Sequence, residues 1–281
     1  MFQLHVTPLT AGIGAAVLVG VGGLVSAQLR RGRVGAAIRE VGIVLGLFGL
    51  WMLVGRLVGH HPSGAYSRGG DIWSLERWLH LDNEATLQRP LLGHNDLLVA
   101  ANYYYAYAHW LSVDVVLAWL WLRHSATYLM ARTALVLFTG GCLLLHLVST
   151  APPRLLSQTG LVDTAASLGQ SVYGDSPGVS DHLSAMPSVH VGWAVLFAVV
   201  AWTTRSTVAR ALTSVHLVLT AYVVVVTGNH FWLDGIVAAL LVAVAVPVAA
   251  WLTRTRWPAT NAVADSLSSL GQRRPVAKGS A

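Results

Sequence analysis

Long apolar runs, seven in number and each close to the length of a membrane helix, constrain this chain more than any other feature. A bilayer core about 30 Å thick requires about 20 mostly apolar residues per helix. With 54% hydrophobic and only 11% charged residues, the chain cannot surround a globular core with a polar surface. The sequence therefore predicts an all-α, polytopic membrane helix bundle. The predicted transmembrane helices are 9–29, 41–58, 97–122, 128–148, 188–203, 211–227 and 231–252.

The basic residues predict how the bundle is oriented. If the seven helices alternate in direction, 13 of the 18 Lys and Arg residues lie on one side. The remaining five are Arg56, Arg68, Arg77, Arg89 and Arg154. Because Lys and Arg accumulate in short cytoplasmic loops, we expect a plasma-membrane protein with its N-terminus outside and its C-terminus in the cytoplasm. Topology and anionic lipid headgroups then account for the net charge of +6, so no nucleic-acid partner is expected.

Two segments on the predicted outer side are too polar to span. The first, 60–96, carries Ile72, Leu75 and Leu79 at helical spacing beside Trp73 and Trp78, a pattern that predicts an amphipathic helix in the interface. The second, 150–186, is rich in Ser, Gly, Pro and Asp. We expect it to form a loop over the outer mouth of the bundle.

The most informative polar positions lie where these helices begin. Arg154 at the end of the fourth predicted helix, His190 at the start of the fifth and His230 at the start of the seventh all reach the same outer face. His230 and Asp234 are four residues apart, so they share one stripe of a helix. A carboxylate there can fix the tautomer of the ring and leave its other nitrogen free as a nucleophile or base. The alternative is a polar helix cap, but ionisable pairs in membrane segments usually indicate function.

His190 follows Pro187 in the first turn of its predicted helix, where proline is tolerated. The free backbone N–H groups near Ser188 and Val189 suit phosphate oxygens, so Ser188 and Arg154 are predicted to bind substrate. The alternative is that His190 is an ordinary interfacial histidine.

These residues resemble the motifs of the type 2 phosphatidic acid phosphatase superfamily, which carries a basic first motif, then Pro-Ser-Gly-His, then Ser-Arg before a distal His-x-x-x-Asp. His190 matches the second-motif histidine, and His230 and Asp234 match the third-motif nucleophile and its orienting carboxylate. Arg154 is the counterpart of the basic motif, with no Lys at the usual distance before it. Val189 replaces the glycine, and valines at 223 and 224 replace Ser-Arg. In lacking Ser-Arg, the chain is similar to the inositol phosphorylceramide synthase branch, which the segment 102–109 also resembles.

The resemblance implies a metal-independent reaction without a cofactor. His230 would attack the phosphorus of a membrane-lipid headgroup to give a phosphohistidine, while His190 protonates the departing oxygen. Arg154 and helix-start amides would hold the phosphoryl oxygens. The implied organisation is two N-terminal transmembrane helices plus the amphipathic segment (1–96), a catalytic membrane core (97–255) and a disordered cytoplasmic tail (256–281), with the active site facing outside.

Several alternatives stay open in the sequence. The substrate is a lipid headgroup to be transferred, with inositol phosphate as one candidate, or a lipid phosphate or polyprenyl pyrophosphate to be hydrolysed. The non-enzymatic alternative is a proton-coupled transporter, although this would place its polar residues at mid-membrane. The sequence assigns no role to Asn102, His109 or Asp114, and it leaves the oligomeric state open, a homo-oligomer included.

Overall fold

The computed structural model describes residues 63–170 except 82, residues 183–254, and seven positions between 38 and 49. Its helices are α1 (Ala65–Trp78), α2 (Glu84–Gln88), α3 (Asn95–Arg123), α4 (Ser125–His146), α5 (Thr164–Ser167), α6 (Val189–Trp202), α7 (Thr207–Val226) and α8 (Trp232–Leu252). Short 3-10 turns occupy Arg89–Leu91, Pro153–Leu155 and Ser157–Thr159. The described ranges contain no β-strand, so the predicted all-α class is confirmed for them.

Within the described part of the chain, three helices are long and apolar enough to cross a membrane, which indicates an integral membrane protein. They are Ala126–His146, Thr207–Val226 and Trp232–Leu252, and they correspond to the fourth, sixth and seventh predicted spans. Seven spans are not confirmed. The predicted span 188–203 corresponds to α6, whose 14 residues extend only about 21 Å at 1.5 Å per residue. The span 97–122 lies in the 29-residue α3, whose polar side chains lower its hydropathy.

Some predictions fall on other parts of the chain. The predicted helix 9–29 and the tail 256–281 lie outside the described residues, as does most of 41–58. The division at residue 96, the orientation in the membrane and the outward-facing site stay predictions.

The main core lies between α4, α6 and α8. Phe138 from α4, Phe197 from α6 and Val242 from α8 are almost fully buried in one apolar cluster. Trp193 belongs to the same cluster and donates its indole N–H to the Thr139 hydroxyl over 3.0 Å. The first turns of α6 and α8, which carry the candidate functional residues, are thus anchored by helices that pack along their lengths.

Gly192 allows α6 to approach α4 closely. A Cβ atom at this position would lie 1.9 Å from Cζ of Phe138, and the buried ring has little room to move. We therefore expect Gly192→Ala to lower the free energy of unfolding by about 1–3 kcal/mol through overpacking, measured as a lower melting temperature in detergent.

A paired substitution separates this clash from a general intolerance of alanine. Combining Gly192→Ala with Phe138→Leu should recover part of the loss. Gly140→Ala in α4 is the matched control, because a Cβ there meets nothing within 4 Å. A Gly192→Ala variant as stable as wild type would contradict the packing described.

The helix α1 forms part of the predicted amphipathic segment, and its buried positions are two small residues and a glutamate. Ala65, Gly69 and Glu76 are buried, and a Cβ at Gly69 would lie only 2.7 Å from the carbonyl oxygen of Ala151. Trp78 is 72% exposed. Leu75 and Leu79 are also exposed, which suits a helix lying in the membrane interface.

Of the predicted loop 150–186, residues 171–182 lie outside the described residues. The described parts contact the turn before α8, through Arg154 N–H to the Gly228 carbonyl and through the Ala185 carbonyl to His230. The two ends of the loop pair, because Thr150 N–H donates to the Leu183 carbonyl and Ala185 N–H donates to the Thr150 carbonyl. The buried Gln88 amide joins this loop to α7 through hydrogen bonds to the Val162 and Val226 backbone. These contacts fix the loop beside the candidate site.

Candidate active site

His230 and Asp234 form a buried pair at the start of α8. The Asp234 carboxylate accepts the Phe231 N–H over 2.9 Å and lies 3.2 Å from His230 Nδ1. His230 Nδ1 is also 2.8 Å from the Ala185 carbonyl oxygen. Both neighbours of Nδ1 are acceptors, so this nitrogen carries the hydrogen and the neutral ring keeps its lone pair on Nε2. Within the described residues, Nε2 is buried and has no hydrogen-bond partner.

His190 lies in the first turn of α6, opposite His230. The ring centroids of the two histidines are 5.6 Å apart. Both ring nitrogens of His190 are shielded from solvent and make no hydrogen bond with the described residues. The structure therefore brings together two imidazoles, with three ring nitrogens that make no hydrogen bond within the described residues. The catalytic roles of both histidines stay predictions.

Ser188 connects the two helix starts. Its N–H donates to the Asp234 carbonyl over 3.1 Å, and its hydroxyl oxygen accepts the Val191 N–H at the N-cap of α6. The side chain is fully buried. Its N–H is thus engaged within the protein, whereas a capping hydroxyl can still donate its own hydrogen. A substrate-binding role for Ser188 stays a prediction, limited to that hydroxyl.

Arg154 lies against the turn that precedes His230. Its guanidinium donates to the Asn229 side-chain oxygen over 2.8 Å and to the Asp163 carboxylate over 3.1 Å. Its backbone N–H donates to the Gly228 carbonyl. Gly228 has a positive φ of 69°, and a Cβ there would lie 2.8 Å from Arg154 Cβ, so only glycine suits this turn.

The sequence assigned no site role to several residues of α3 and α4. Tyr105 stacks on His190 and His109 meets it edge to face, each with a ring-centroid separation of 4.2 Å. His146 lies 3.1 Å from the Pro187 carbonyl oxygen, just before α6. Asn102 is fully buried and bonds to Gln170 and Thr164 of the loop 150–186, a structural role. Asp114 is exposed among the described residues.

Glu76 is a second feature that sequence reasoning did not identify. Its carboxyl group is fully buried and accepts the N–H of Leu233, in the first turn of α8, over 2.8 Å. Burial raises the pKa of Glu76 to about 9, with the hydrogen-bonded Glu84 and the charge of Asp234 acting in the same direction. Glu76 is therefore protonated at neutral pH and supports the helix start that carries Asp234.

This raised pKa predicts that stability depends on pH. Between the usual carboxyl pKa of 4.5 and about 9, the folded protein keeps a proton on Glu76 that the unfolded chain releases. Stability from this group is complete below pH 4.5 and falls as pH rises towards 9. We expect the melting temperature of the wild type to fall from pH 6 to pH 9, and Glu76→Gln to remove much of that fall. The control is Asp71→Asn, which replaces an exposed carboxylate on the same helix. If the melting temperature of Glu76→Gln fell from pH 6 to pH 9 as much as that of the wild type, the raised pKa of Glu76 would be contradicted.

Comparison with known proteins identifies the family. A family model of the PAP2 superfamily matches residues 70–248, which is more than half of the chain and contains Arg154, His190, His230 and Asp234. The match reaches the superfamily and no finer branch. No curated protein and no solved structure matches the chain. With two histidines and an aspartate meeting where membrane helices begin, and a family match across that whole region, the chain belongs to the PAP2 superfamily.

Proposed function

We propose that this protein is a membrane-embedded, metal-independent phosphotransferase or phosphatase that acts on lipid-linked phosphate headgroups through a phosphohistidine on His230. One observation carries the proposal. The Ala185 carbonyl and the Asp234 carboxylate both face His230 Nδ1, which leaves the lone pair on a buried Nε2 beside His190. A nucleophile needs this arrangement of an oriented ring and an uncommitted nitrogen.

The proposed reaction has two steps. In the first, His230 Nε2 forms a bond to phosphorus while the bond from phosphorus to the leaving oxygen breaks, and His190 donates a proton to that oxygen. In the second, His190 takes a proton from water or from an acceptor hydroxyl, whose oxygen then attacks phosphorus and releases His230. Water as acceptor gives hydrolysis, and a lipid or polyol hydroxyl gives headgroup transfer.

The charge around the site favours a phosphodiester as substrate. Arg154 is already paired with Asp163, whose oxygen lies 3.1 Å from its Nε. The position of the usual third-motif arginine is taken by Val224, which is buried in an apolar cluster with Val191. A diester carries one negative charge and a monoester up to two, so a site with one compensated arginine suits the diester better. Transfer of an inositol phosphate headgroup, as in the branch that the sequence resembles, is one such reaction.

The proposal is tested with the full chain in mixed lipid–detergent micelles containing a chelator. The probes are bis(p-nitrophenyl) phosphate as diester and p-nitrophenyl phosphate as monoester. We expect release of p-nitrophenol that survives chelation and is faster with the diester. Loss of all activity on chelation would contradict the metal-independent mechanism. A protein that hydrolyses neither probe and transfers no phosphoryl group between lipids would instead favour the transporter alternative.

A further inference from the structure

The two histidines of the site are held in different ways. His230 is oriented by hydrogen bonds from its Nδ1 to a carbonyl and a carboxylate. His190 has no such bond within the described residues. The Tyr105 backbone also lies close to the His190 ring. Contacts other than side-chain hydrogen bonds must therefore help to orient His190 and to stabilise the proton that it carries as an acid.

Two rings from α3, those of Tyr105 and His109, contact the His190 ring directly. The Tyr105 ring lies nearly parallel to His190, with an interplanar angle of 21° and a centroid separation of 4.2 Å. The His109 ring meets His190 at 62° with the same separation. His109 Nδ1 faces the Tyr105 carbonyl oxygen at 3.1 Å, so it carries the hydrogen and the two residues are fixed relative to each other.

We propose that Tyr105 is a positioning residue whose ring face stabilises the protonated, acidic form of His190. The Asp234 carboxylate would stabilise positive charge on His230 in a similar way. The inference rests on the proposed function, because it concerns the step in which His190 acts as an acid. A cation within about 6 Å of an aromatic centroid is attracted to the negative face of the ring. The stacked distance of 4.2 Å lies well within that limit.

The other titratable groups around His190 make this support necessary. His109 from α3 and His230 from the turn before α8 both oppose a positive charge on His190 whenever they are protonated themselves. His146 from α4 lies close to His230 and acts on that ring in the same way. Asp234 from α8 is the nearby anion, but it faces His230 Nδ1. The Tyr105 ring therefore supplies the direct attraction that a hydrogen-bonded carboxylate would otherwise provide.

The experiment follows the ionisation of His190 directly, by NMR of the full chain labelled at histidine Cε1. The chain has 12 histidines, and the His190 signal is assigned by its loss in His190→Gln. In Tyr105→Leu we expect His190 to ionise about one pH unit lower than in wild type. In Tyr105→Phe, which keeps the ring face, the titration should stay close to wild type. Tyr103→Leu is the matched control, because Tyr103 lies on the same helix, is 50% exposed and stacks on Tyr107.

Stepwise fluorination of a phenylalanine at position 105 keeps the shape of the ring while weakening its negative face. This fluorinated series still tests the proposal if Tyr105→Leu does not fold. Ionisation of His190 should move to lower pH with each fluorine, and the alkaline limb of diester hydrolysis should move with it. A titration that fluorination leaves unchanged would overturn the proposal, as would one that Tyr105→Phe shifts as far as Tyr105→Leu. Normal titrations in a protein with no phosphate-ester activity would count against the proposed function alone.

Discussion

We expect His230→Ala to lower kcat for diester hydrolysis by about 10⁴- to 10⁶-fold, as removal of a covalent nucleophile does in other enzymes. The uncommitted Nε2 is the only atom of this side chain that the mechanism uses for bond formation, and alanine removes it. Nδ1 contributes hydrogen bonds to Ala185 and Asp234, so some stability is lost as well. Initial rates at saturating substrate measure the effect, with melting temperatures recorded in parallel.

Two controls distinguish lost chemistry from lost structure. His94→Ala replaces an exposed histidine before α3 and should leave kcat unchanged. His230→Gln keeps a donor for the Ala185 carbonyl, so it should recover stability without recovering activity. Wild-type kcat in either His230 variant would contradict the assignment of His230 as nucleophile.

Asp234→Asn has the second largest expected effect, a loss of about 10²- to 10⁴-fold in kcat. When Nε2 bonds to phosphorus, the ring becomes positively charged, and Asp234 at 3.2 Å from Nδ1 is the anion beside it. Asparagine can still accept the Phe231 N–H, which the carboxylate holds at 2.9 Å. The Ala185 carbonyl still holds the Nδ1 hydrogen. The loss should therefore report the missing charge and fall on kcat more than on KM.

Asp234→Ala provides the comparison. It removes both the charge and the acceptor for the Phe231 N–H, so it should lower the melting temperature as well as kcat. Equal melting temperatures in the two variants would show that the hydrogen bond from the Phe231 N–H to residue 234 contributes nothing to stability. An Asp234→Asn enzyme with wild-type kcat would contradict the electrostatic role of this carboxylate.

Local spacing predicted the part of the site that depends on one helix. His230 and Asp234 are four residues apart, a spacing that places side chains on one stripe of a helix. The two side chains do meet, at 3.2 Å, although His230 lies in the turn before α8 and not within the helix. The convergence of His190 with this pair was predicted from the order of the membrane segments. That prediction did not require all seven spans, because α4, α6 and α8 pack against one another, and α7 packs against α6, so that both helix starts are held in place.

The residues that the sequence missed act across long distances in the chain. Tyr105 contacts a histidine 85 positions away, and nothing in a 29-residue helix with four tyrosines near its start indicates which ring faces the site. Glu76 lies on a helix that the sequence predicts to be interfacial, where a carboxylate is usually exposed to water. The small residues Ala65 and Gly69 on the same face, both buried, were the available signal that this face packs inward.

The lengths of the membrane helices were predicted from the lengths of the apolar runs alone. Hydropathy alone does not distinguish a complete span from a shorter helix such as α6, whose 14 residues still bring His190 to His230. In α3, the side chains that interrupt the apolar run include His109 and Tyr105, which the structure places against His190. Polar interruptions of a predicted span thus marked residues beside the site.

The most direct test of the account is to trap the covalent intermediate. Full-length protein is mixed with a diester carrying a labelled phosphoryl group, quenched in alkali within the first turnover, digested and mapped by mass spectrometry. We expect an alkali-stable, acid-labile phosphoryl group that retains one ester group of the diester, bonded to the peptide that contains His230. This adduct should be absent from His230→Ala and accumulate when the acceptor step is slowed. A first turnover that leaves the label on a different residue, or on none, would contradict the account.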